Sequence, residues 1–526
     1  MKRIGIDVGG TNTDAVLIND GRVDGAVKAS TTADVTGGIL AAMRALRAQS
    51  GDGADVDAVL VGTTHFINAV IQRKQLHKVA AIRIGAPATT ALPPFCDWPR
   101  DLAHLVDGGI WMIEGGHDYD GRRFMPLNVT QVREAAREIR RRGLAYAAVT
   151  AMFSPLDPSD EDAVAAILQE EVPGISVTCS HMLGGIGVLE RENAALLNAA
   201  LIALARDTVK GFEEAMRSSG IDAPLFITQN DGTVAAAAHA VALPVYSFAS
   251  GPTNSMRGGA YLSSLQEAVV ADVGGTTTDF GHLQNGFPRQ ANTVVHIGGV
   301  RTLFRMPDLI SIGLGGGSLV DTEKMTIGPQ SVGFRLTQEA LVFGGTQLTG
   351  TDIAVAAGLL DIGERQRVAH LPAALIKGAL RRAQAMVEEH VDRIKTAAGG
   401  VTLLAVGGGA FLIPDRLEGV DRVIRTEHGG CANAVGAAIA QVSGDVDQVF
   451  QDLSRTEAVA KARALADERA VEAGADASTL SLVEAEDIPI AYLPGNALRV
   501  RVKVVGDINS RQGSTPNARD VRHQHA

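Results

Sequence analysis

The chain has 526 residues, of which 46% are hydrophobic, 20% charged and 4% aromatic, and its net charge is −11. This composition is typical of a globular protein with two or three domains, and the acidic balance argues against a nucleic-acid surface. No apolar run is long enough to span a bilayer, and the N-terminus enters a glycine motif without a signal peptide. The three cysteines, Cys96, Cys179 and Cys431, form neither a disulfide framework nor a zinc spacing, so a reducing, cytoplasmic compartment is expected.

The first predicted structure is a hairpin at Ile4 to Asp14, IGIDVGGTNTD. Apolar, β-favouring residues lead to Asp7, and two glycines then allow a sharp turn before a second strand. The amides and hydroxyls of the turn suit a phosphate, and Asp7 at the strand end suits a hydrated Mg²⁺. The predicted phosphate-binding residues of this turn are Gly9, Gly10, Thr11, Asn12 and Thr13.

The next predicted elements follow in α/β order. A helical pattern begins at Asp34, strands are predicted at residues 57–61 and 79–84, and a helix at 67–73. His65 follows the first of these strands in the sequence GTTH, where a cleft residue would lie. We predict a catalytic role for His65, although an ordinary loop histidine explains the pattern equally well.

The middle of the first half contains one ambiguous polar cluster. His117, Asp118 and Asp120 lie in a glycine-rich turn after the apolar residues 110–113. They suit a metal or substrate cluster, but a solvated turn is the favoured interpretation. Farther along, residues 190–218 form a long helical pattern, which we expect to cross between the two halves of the protein.

Two strands predicted early in the second half end in polar residues. Residues 225–228 lead to Asn230 and Asp231, and residues 245–248 lead to Ser250. Because ligands gather at the carboxyl ends of strands, these three residues are predicted to contact the substrate.

A near-copy of the first hairpin lies at Val269 to Phe280, VVADVGGTTTDF. One Gly-Gly hairpin is common, but a match at nine positions far apart in the chain argues against two unrelated hairpins. Asp272 corresponds to Asp7 and is predicted to share its catalytic and Mg²⁺-binding roles. The predicted phosphate-binding residues of this second turn are Gly274, Gly275, Thr276, Thr277 and Thr278.

Two further strand ends are rich in glycine. After residues 309–312, Gly315, Gly316 and Gly317 either contact a nucleotide or form a simple turn. After residues 403–406 come three more predicted cofactor-binding glycines, Gly407, Gly408 and Gly409. The chain lacks a Walker A sequence, a complete dinucleotide fingerprint and a nucleophile elbow. The polar residues from Asp507 onward are predicted to be disordered, and His523 and His525 there to be incidental.

The paired hairpins and LLAVGGGA at residues 403–410 resemble the nucleotide fold of actin, sugar kinases and heat-shock ATPases. The segments IGIDVGGTNTDAVLI, VGTTHFINAVIQRK, SFASGPTNSMRGGA and SIGLGGGS, together with the second hairpin, resemble the A-type subunit of the hydantoinase/oxoprolinase family. The resemblance runs from Ile4 to about Gly506. It implies an α/β fold with two actin-like ATPase domains around a nucleotide cleft. The expected divisions are residues 1–200, residues 201–445 with the adenosine motif, a helix and strand pair at 446–506, and a tail at 507–526.

The same resemblance implies an ATP- and Mg²⁺-dependent enzyme that phosphorylates the carbonyl of a cyclic amide before opening the ring. The family's larger A-type subunits carry a longer C-terminal region, and they usually work with a B-type subunit. A B-type partner or a homo-oligomer is therefore expected. A small-molecule kinase, a carbonyl-activating carboxylase subunit and a regulatory ATPase are the alternatives on this fold. The sequence does not choose among hydantoins, 5-oxoproline and other lactams.

Overall fold

The computed structural model describes residues 1–9, 12–30, 35–50, 56–291, 294–303, 305–491 and 495–509. The predictions at Gly10, Thr11 and Asp34, and those for residues 510–526 with His523 and His525, lie outside the described residues. Helices and strands alternate along the chain and build three main sheets, which confirms the predicted α/β class. Within the described ranges, no helix has the length and hydropathy of a membrane span.

The N-terminal elements begin a large mixed sheet. They are β1 (Lys2–Val8), β2 (Asn12–Asn19), β3 (Arg22–Ser30), α1 (Val35–Ser50), β4 (Ala58–Thr63) and α2 (His65–Gln72). Strands β1, β2 and β3 are antiparallel neighbours, and β4 lies parallel to β1. Apolar side chains at alternate positions of β1, Ile4 and Ile6, pack with α1 in one buried cluster.

A second sheet follows as an insertion of parallel strands. Its elements are β5 (Val79–Ala86), α3 (Arg100–Val106), β6 (Asp107–Glu114), α4 (Val129–Arg142), β7 (Tyr146–Ala151), α5 (Ser159–Glu171), β8 (Ser176–Cys179) and α6 (Val188–Ser218). The strand order is β6-β5-β7-β8. The long helix α6 contacts β7 and β8 on one side and α1 on another, so it joins this sheet to the first one.

The second half contains a six-stranded sheet and several small hairpins. The elements are β9 (Leu225–Thr228), β10 (Val234–Ala236), α7 (Ala237–Ala242), α8 (Ser250–Ser263), β11 (Ala268–Val273), β12 (Thr278–Gln284), β13 (Phe287–Pro288), β14 (Val295–Ile297), β15 (Val300–Thr302), β16 (Leu309–Ile312), β17 (Ser318–Asp321), β18 (Thr326–Ser331), α9 (Leu336–Glu339), α10 (Gly350–Ala357), α11 (Ala373–Ile394), β19 (Val401–Val406), β20 (Val420–Ile424) and α12 (Ala432–Ile439). The main sheet has the order β13-β12-β11-β19-β20, with β16 also paired to β12.

The last described elements return to the first sheet. They are β21 (Val442–Phe450), α13 (Arg455–Glu472), β22 (Ser481–Pro489) and β23 (Leu498–Gly506). With β9 and β10 they extend that sheet to nine strands, in the order β22-β23-β21-β10-β9-β4-β1-β2-β3. The first sheet therefore contains strands from both halves of the chain, because parallel pairing, such as Val59 opposite Leu225, joins strands that are far apart in sequence. The domain boundaries at residues 200 and 445 stay a prediction.

Two local predictions are wrong. Residues 245–248 are not a strand, because Pro244 begins a 3-10 turn at Pro244–Ser247 and cannot donate a backbone hydrogen bond to a sheet. The predicted disordered tail starts too early, since Asp507 N donates to the Thr479 hydroxyl at 2.8 Å and Ile508 is buried. Residues 507–509 are therefore part of the folded protein.

Helices α8 and α12 cross in direct contact between the two hairpin-bearing sheets. A Cβ at Gly258 would overlap the Ala432 carbonyl, and one at Gly436 would overlap the Asn254 carbonyl, so both positions require glycine. Helix α8 also contacts β11, and α12 contacts β1. The crossing fixes the two hairpins relative to each other.

Candidate active site

The two predicted glycine hairpins are present and have the same register. Asp7 lies opposite Asp14 across β1 and β2, and Asp272 lies opposite Asp279 across β11 and β12. The turns also match: Gly9 N donates to Asn12 O at 3.0 Å, and Gly274 N donates to Thr277 O at 2.8 Å. The sequence repeat is therefore a structural repeat.

Asp7 lies at the centre of the first hairpin's polar contacts. Asn433 Nδ2, at the start of α12, donates to Asp7 Oδ2 and to Asp14 Oδ2, each at 2.9 Å. Asp7 Oδ1 is buried and has no hydrogen-bond partner of normal geometry among the described residues, although the Asn254 amide, which donates to the Thr228 hydroxyl at 3.0 Å, lies close enough to lower the pKa of Asp7. Burial, together with the charge of Asp14, raises the pKa of Asp7 to about 6.

The carboxyl of Asp272 lies within electrostatic reach of the first hairpin. Burial, with the charges of Asp279, Asp7 and Asp14, raises the pKa of Asp272 to about 7 against the opposing effect of a hydrogen bond with Ser255. The two predicted carboxylates therefore lie close enough for their charges to interact, and we call these two residues, together with Asp14 and Asp279, the acidic cluster. Asp279 accepts a hydrogen bond from the Ser311 hydroxyl on β16.

Two glycine-rich segments support the second turn through its backbone. Gly316 N donates to Gly274 O at 3.1 Å, Gly317 N to Gly275 O at 2.7 Å, and Gly409 N to Val273 O at 2.7 Å. The predicted glycines at 315–317 and 407–409 thus meet at the second turn. A Cβ at Gly315 would lie 2.7 Å from Thr276 N, whereas Gly408 has open space around it, with no atom within 4 Å.

The threonines and asparagine of the two turns fall into two groups. Thr276 and Thr277 are exposed and Asn12 is half-buried, so these side chains are accessible to a ligand. Thr278 is buried, and its hydroxyl donates to Leu314 O at 2.6 Å. Thr13 is also buried. The buried pair therefore supports the strands that hold the turns.

His65 and Ser250 lie at the same sheet edge as the first turn. Thr63, at the end of β4, is opposite Val8 of β1. Its hydroxyl accepts from His65 N at 3.1 Å, and its carbonyl accepts from the Ser250 hydroxyl at 3.1 Å. Burial lowers the pKa of His65, which favours the neutral imidazole at pH 7.

Comparison with known protein families identifies the chain. The family model for the hydantoinase/oxoprolinase N-terminal region matches residues 3–172, and the hydantoinase/oxoprolinase model matches residues 191–366. The chain belongs to the hydantoinase/oxoprolinase family. This confirms the resemblance carried by the hairpins and the glycine-rich strand ends.

Two curated relatives align with most of this family member. The acetophenone carboxylase gamma subunit of Aromatoleum aromaticum is 27% identical over 396 residues, which cover 69% of the chain and 54% of the relative. The caprolactamase subunit alpha of Pseudomonas jessenii is 26% identical over 459 residues, covering 80% of the chain and 62% of the relative. The chain therefore spans less than two thirds of the length of either relative.

Solved structures of similar proteins show the same fold. The ATP-dependent caprolactamase from Pseudomonas jessenii superposes with a TM-score of 0.76 at 19% identity, over 96% of this chain and 87% of that one. A nucleotide-free acetone carboxylase superposes with a TM-score of 0.70 at 18% identity, over 97% and 89% of the two chains.

The predicted substrate residues Asn230 and Asp231 are bonded within the protein. Asn230 Oδ1 accepts from Ala249 N at 2.7 Å, and Asn230 Nδ2 donates to Val245 O at 3.1 Å. Asp231 forms a buried ion pair with Lys503 and accepts from the Thr233 hydroxyl at 2.6 Å. These contacts stabilise the first sheet near its junction with the second half. The substrate role of both residues stays a prediction.

The polar turn at 117–120 lies in the four-stranded region. His117 is buried, and its Nε2 is 3.2 Å from Asp157 Oδ2. The carboxylates of Asp118 and Asp120 bond within the turn itself: Tyr119 N donates to Asp118 Oδ1 at 2.8 Å, and Arg122 N donates to Asp120 Oδ1 at 3.0 Å. The side chains are used separately, which favours a turn over a shared cluster.

One group that the sequence did not suggest has metal-ligand chemistry. Glu161, Cys179 and His181 place one ligand atom each within 4.8 Å of one another. However, Glu161 already accepts four hydrogen bonds, from Ala151 N, Ser180 Oγ, His181 N and His181 Nδ1. Each oxygen of Glu161 accepts two of these hydrogen bonds, so the carboxylate holds the ends of β7 and β8 together.

The sequence missed several side chains around the predicted carboxylates. Asp14 and Asp279 are visible in the repeat as the second Asp of each hairpin, but their contacts with Asp7 and Asp272 depend on strand register. Asn433 gave no local signal, because it reaches Asp7 from 426 positions farther along the chain.

Proposed function

We propose that this chain is an ATP-dependent enzyme that phosphorylates the carbonyl oxygen of a cyclic amide and thereby prepares the ring for opening. The observation that carries the proposal is the pair of matched glycine hairpins, whose strand-end aspartates Asp7 and Asp272 interact electrostatically. Backbone amides in such turns bind phosphate, and the exposed Thr276 and Thr277 add hydroxyl donors. This arrangement suits phosphoryl transfer, in which positioning and charge neutralisation are the main tasks.

A groove beside the second turn suits the nucleobase of ATP. It has a volume of about 750 Å³ and is lined by one face of α11 with Lys377, Arg381 and Gln384, and by Phe411 and Pro414 among others. Phe411 connects this groove to the second turn, because its Cζ would lie 3.6 Å from a Cβ at Gly316, whose backbone N donates to Gly274 O. Apolar walls with a few polar groups are typical of small-molecule sites.

The acidic cluster fits Mg²⁺. Its donors are carboxylate oxygens, which this hard cation prefers, and Asp7 Oδ1 is a buried oxygen with no partner among the described residues. We assign Asp7 and Asp272 as the residues that hold the ion. When bound, Mg²⁺ supplies positive charge against the phosphate oxygens. The raised pKa values of both aspartates fit this assignment, because each carboxylate is costly to ionise there without a cation.

The reaction follows from amide chemistry. The substrate carbonyl oxygen bonds to the γ-phosphorus as its bond to ADP breaks, and the amide resonance that protects the carbon is lost. Water then adds to that carbon and the carbon–nitrogen bond breaks, which leaves an acyl phosphate and an amine. A second water attacks the acyl carbon and releases phosphate. The balance is one lactam, one ATP and two waters to one amino acid, ADP and phosphate.

We propose that His65 accepts the proton of the attacking water. It lies at the sheet edge of Asp7, and burial favours its neutral form, which is the form that accepts a proton. The Ser250 hydroxyl donates to Thr63 O at 3.1 Å and so helps to hold the end of β4, and its contact with the substrate stays a prediction.

The relatives support two versions of this chemistry. The ATP-dependent caprolactamase supports lactam opening, whereas the acetophenone and acetone carboxylases support activation of a carbonyl for carboxylation. The curated relatives from Aromatoleum aromaticum and Pseudomonas jessenii are both subunits of larger enzymes by name, so we propose that a separate B-type subunit completes the reaction here. A kinase or regulatory ATPase without ring opening is the remaining alternative.

Isotope transfer tests the proposal. Carbonyl-¹⁸O lactams and hydantoins are incubated with the chain and ATP, with and without a B-type subunit, and released phosphate is analysed by mass. We expect ¹⁸O in the phosphate and ADP release that depends on the substrate. Ring opening without ATP, or unlabelled phosphate, contradicts the mechanism. ADP release with acetophenone and bicarbonate but with no lactam or hydantoin supports the carboxylase version.

A further inference from the structure

The structural repeat extends one strand beyond each hairpin. In the first half Asp7, Asp14 and Lys28 lie directly opposite one another on β1, β2 and β3. In the second half the same row consists of Asp272, Asp279 and Ser311 on β11, β12 and β16. Directly opposed residues of antiparallel strands project from the same face of a sheet, so each row presents its three side chains together.

The third position is where the two rows differ in charge. Lys28 forms an ion pair with Asp14, whereas Ser311 donates a neutral hydrogen bond to Asp279. Ser311 satisfies Asp279 without a charge, so the hairpin architecture does not require a cation at this position. Asn433 already donates to Asp14 as well. Stabilising the hairpin alone therefore does not explain an ammonium group at Lys28.

The Lys28 ammonium lies at the rim of the acidic cluster. Its side chain is 37% exposed, compared with 5% for its partner Asp14. An ammonium has three donors, and within the described part of the chain only the bond to Asp14 uses one of them. Although burial opposes its charge, Asp14, Cys431 and Asp272 raise the pKa of Lys28, so the group stays charged and within reach of both hairpins.

We propose that Lys28 binds the phosphoryl group during its transfer from ATP to the substrate carbonyl, an assignment that rests on the proposed function. The transferring group carries negative charge on three oxygens, and the aspartates around it repel that charge. The ammonium keeps its proton throughout and donates hydrogen bonds that strengthen as the phosphorus–oxygen bond to ADP breaks. Because this contact is strongest in the transition state, Lys28 affects turnover more than ATP binding.

A transition-state mimic separates the two roles of Lys28. Thermal unfolding is measured for the full chain with Mg²⁺ and ATP, ADP, or ADP with aluminium fluoride. The Tm of the wild-type protein is expected to rise more with ADP and aluminium fluoride than with ADP alone. Lys28→Gln should keep the ATP shift, lose the additional shift, and release ADP roughly 100-fold more slowly. Lys324→Gln, at an exposed lysine with 78% side-chain exposure, is the matched control and should behave as wild type.

A double variant tests whether Lys28 merely neutralises Asp14. If it does, Asp14→Asn combined with Lys28→Gln recovers the turnover lost in Lys28→Gln, and the proposal is overturned. If Lys28 contacts the phosphoryl group, the double variant stays slow. Lys28→Met, which keeps the aliphatic stem, replaces the glutamine variant if the latter does not fold.

The remaining outcomes distinguish this proposal from the function on which it rests. A Lys28→Gln protein that keeps the additional aluminium fluoride shift overturns the role of Lys28 and leaves the ATP-dependent function standing. A wild-type chain that no nucleotide stabilises overturns the proposed function, and the role of Lys28 with it.

Discussion

The two hairpin regions share one backbone plan but are supported in different ways. Side chains surround the first hairpin: Asn433 bridges Asp7 and Asp14, and Lys28 adds a cation. Backbone glycines support the second, through the hydrogen bonds that Gly316, Gly317 and Gly409 donate to its turn. We infer that the first half is specialised for charge and chemistry, and the second for close backbone contact with a nucleotide.

Replacing Asp7 should have the largest effect on turnover. Asp7→Asn removes a carboxylate from the cluster, and we expect substrate-dependent ADP release to fall by at least about 100-fold, together with loss of the Mg²⁺·ATP thermal shift. Asp20→Asn is the control, because the Asp20 side chain is 80% exposed and its one ion pair within the described ranges is with the N-terminus. Normal turnover in Asp7→Asn would show that the side chains of the first hairpin do not carry the chemistry.

The second largest effect is expected from a larger side chain at Gly315, which packs against the backbone of the second turn. The Cβ of Gly315→Val would lie 2.7 Å from the backbone of Gly275 and Thr276. We expect a loss of about 1–3 kcal/mol in the free energy of unfolding, as for other overpacked sites, and no ATP-induced rise in Tm.

Gly408→Ala is the matched control for that crowding. Gly408 has no atom within 4 Å of its would-be Cβ, so the folded state should be as stable as wild type. ATP binding should nevertheless weaken if a nucleotide packs on this glycine. Equal ATP affinity in Gly315→Val and wild type would contradict the backbone role of the second half.

The stability of the protein should depend on pH because the pKa values of Asp7 and Asp272 are raised by burial. The pKa of Asp7 is raised to about 6, so its protonated form stabilises the nucleotide-free fold at low pH. That contribution is full below the unfolded pKa near 4 and is lost as pH rises through about 6, with a size of about 2–3 kcal/mol. Asp272, with a pKa of about 7, adds a larger loss at slightly higher pH because its pKa is raised further.

Denaturant unfolding of the metal-free protein from about pH 4 to pH 8 measures this effect. Asp7→Asn cannot ionise, so the difference in free energy of unfolding between Asp7→Asn and wild type should grow with pH. A difference that stays constant across this range would contradict the pKa shift.

The smallest effect is expected at the position equivalent to Lys28. Ser311→Ala removes the hydroxyl that donates to Asp279, and we expect a loss of about 1 kcal/mol in stability, the usual value of one hydrogen bond. ADP release should change far less than in Lys28→Gln. Equal losses of turnover in the two variants would remove the functional distinction between the rows.

Features set by neighbouring residues could be predicted from the sequence. Each glycine hairpin needs only a β-favouring run, an Asp, two glycines and a second strand, so the two matched hairpins with Asp7 and Asp272 near their strand ends could be predicted. The family was also evident, because its motifs are contiguous. The strand predicted at 245–248 failed because the local effect of Pro244 outweighed the apolar run.

Features set by contacts between distant segments were decided only by the tertiary structure. Strands β9, β10 and β21–β23 join the N-terminal sheet through parallel pairing between segments that are far apart in sequence, β4 with β9 and β10 with β21, and through antiparallel pairing for β9–β10, β21–β23 and β22–β23. Packing between distant segments also brings Asn433, on helix α12, to Asp7 and Lys503, on strand β23, to Asp231. Nothing in the sequence of β3 distinguishes Lys28, and its proposed role depends on Asp14, which lies opposite it on β2. Strand pattern records which residues face the same side, but the partner across the sheet is fixed by packing of the whole chain.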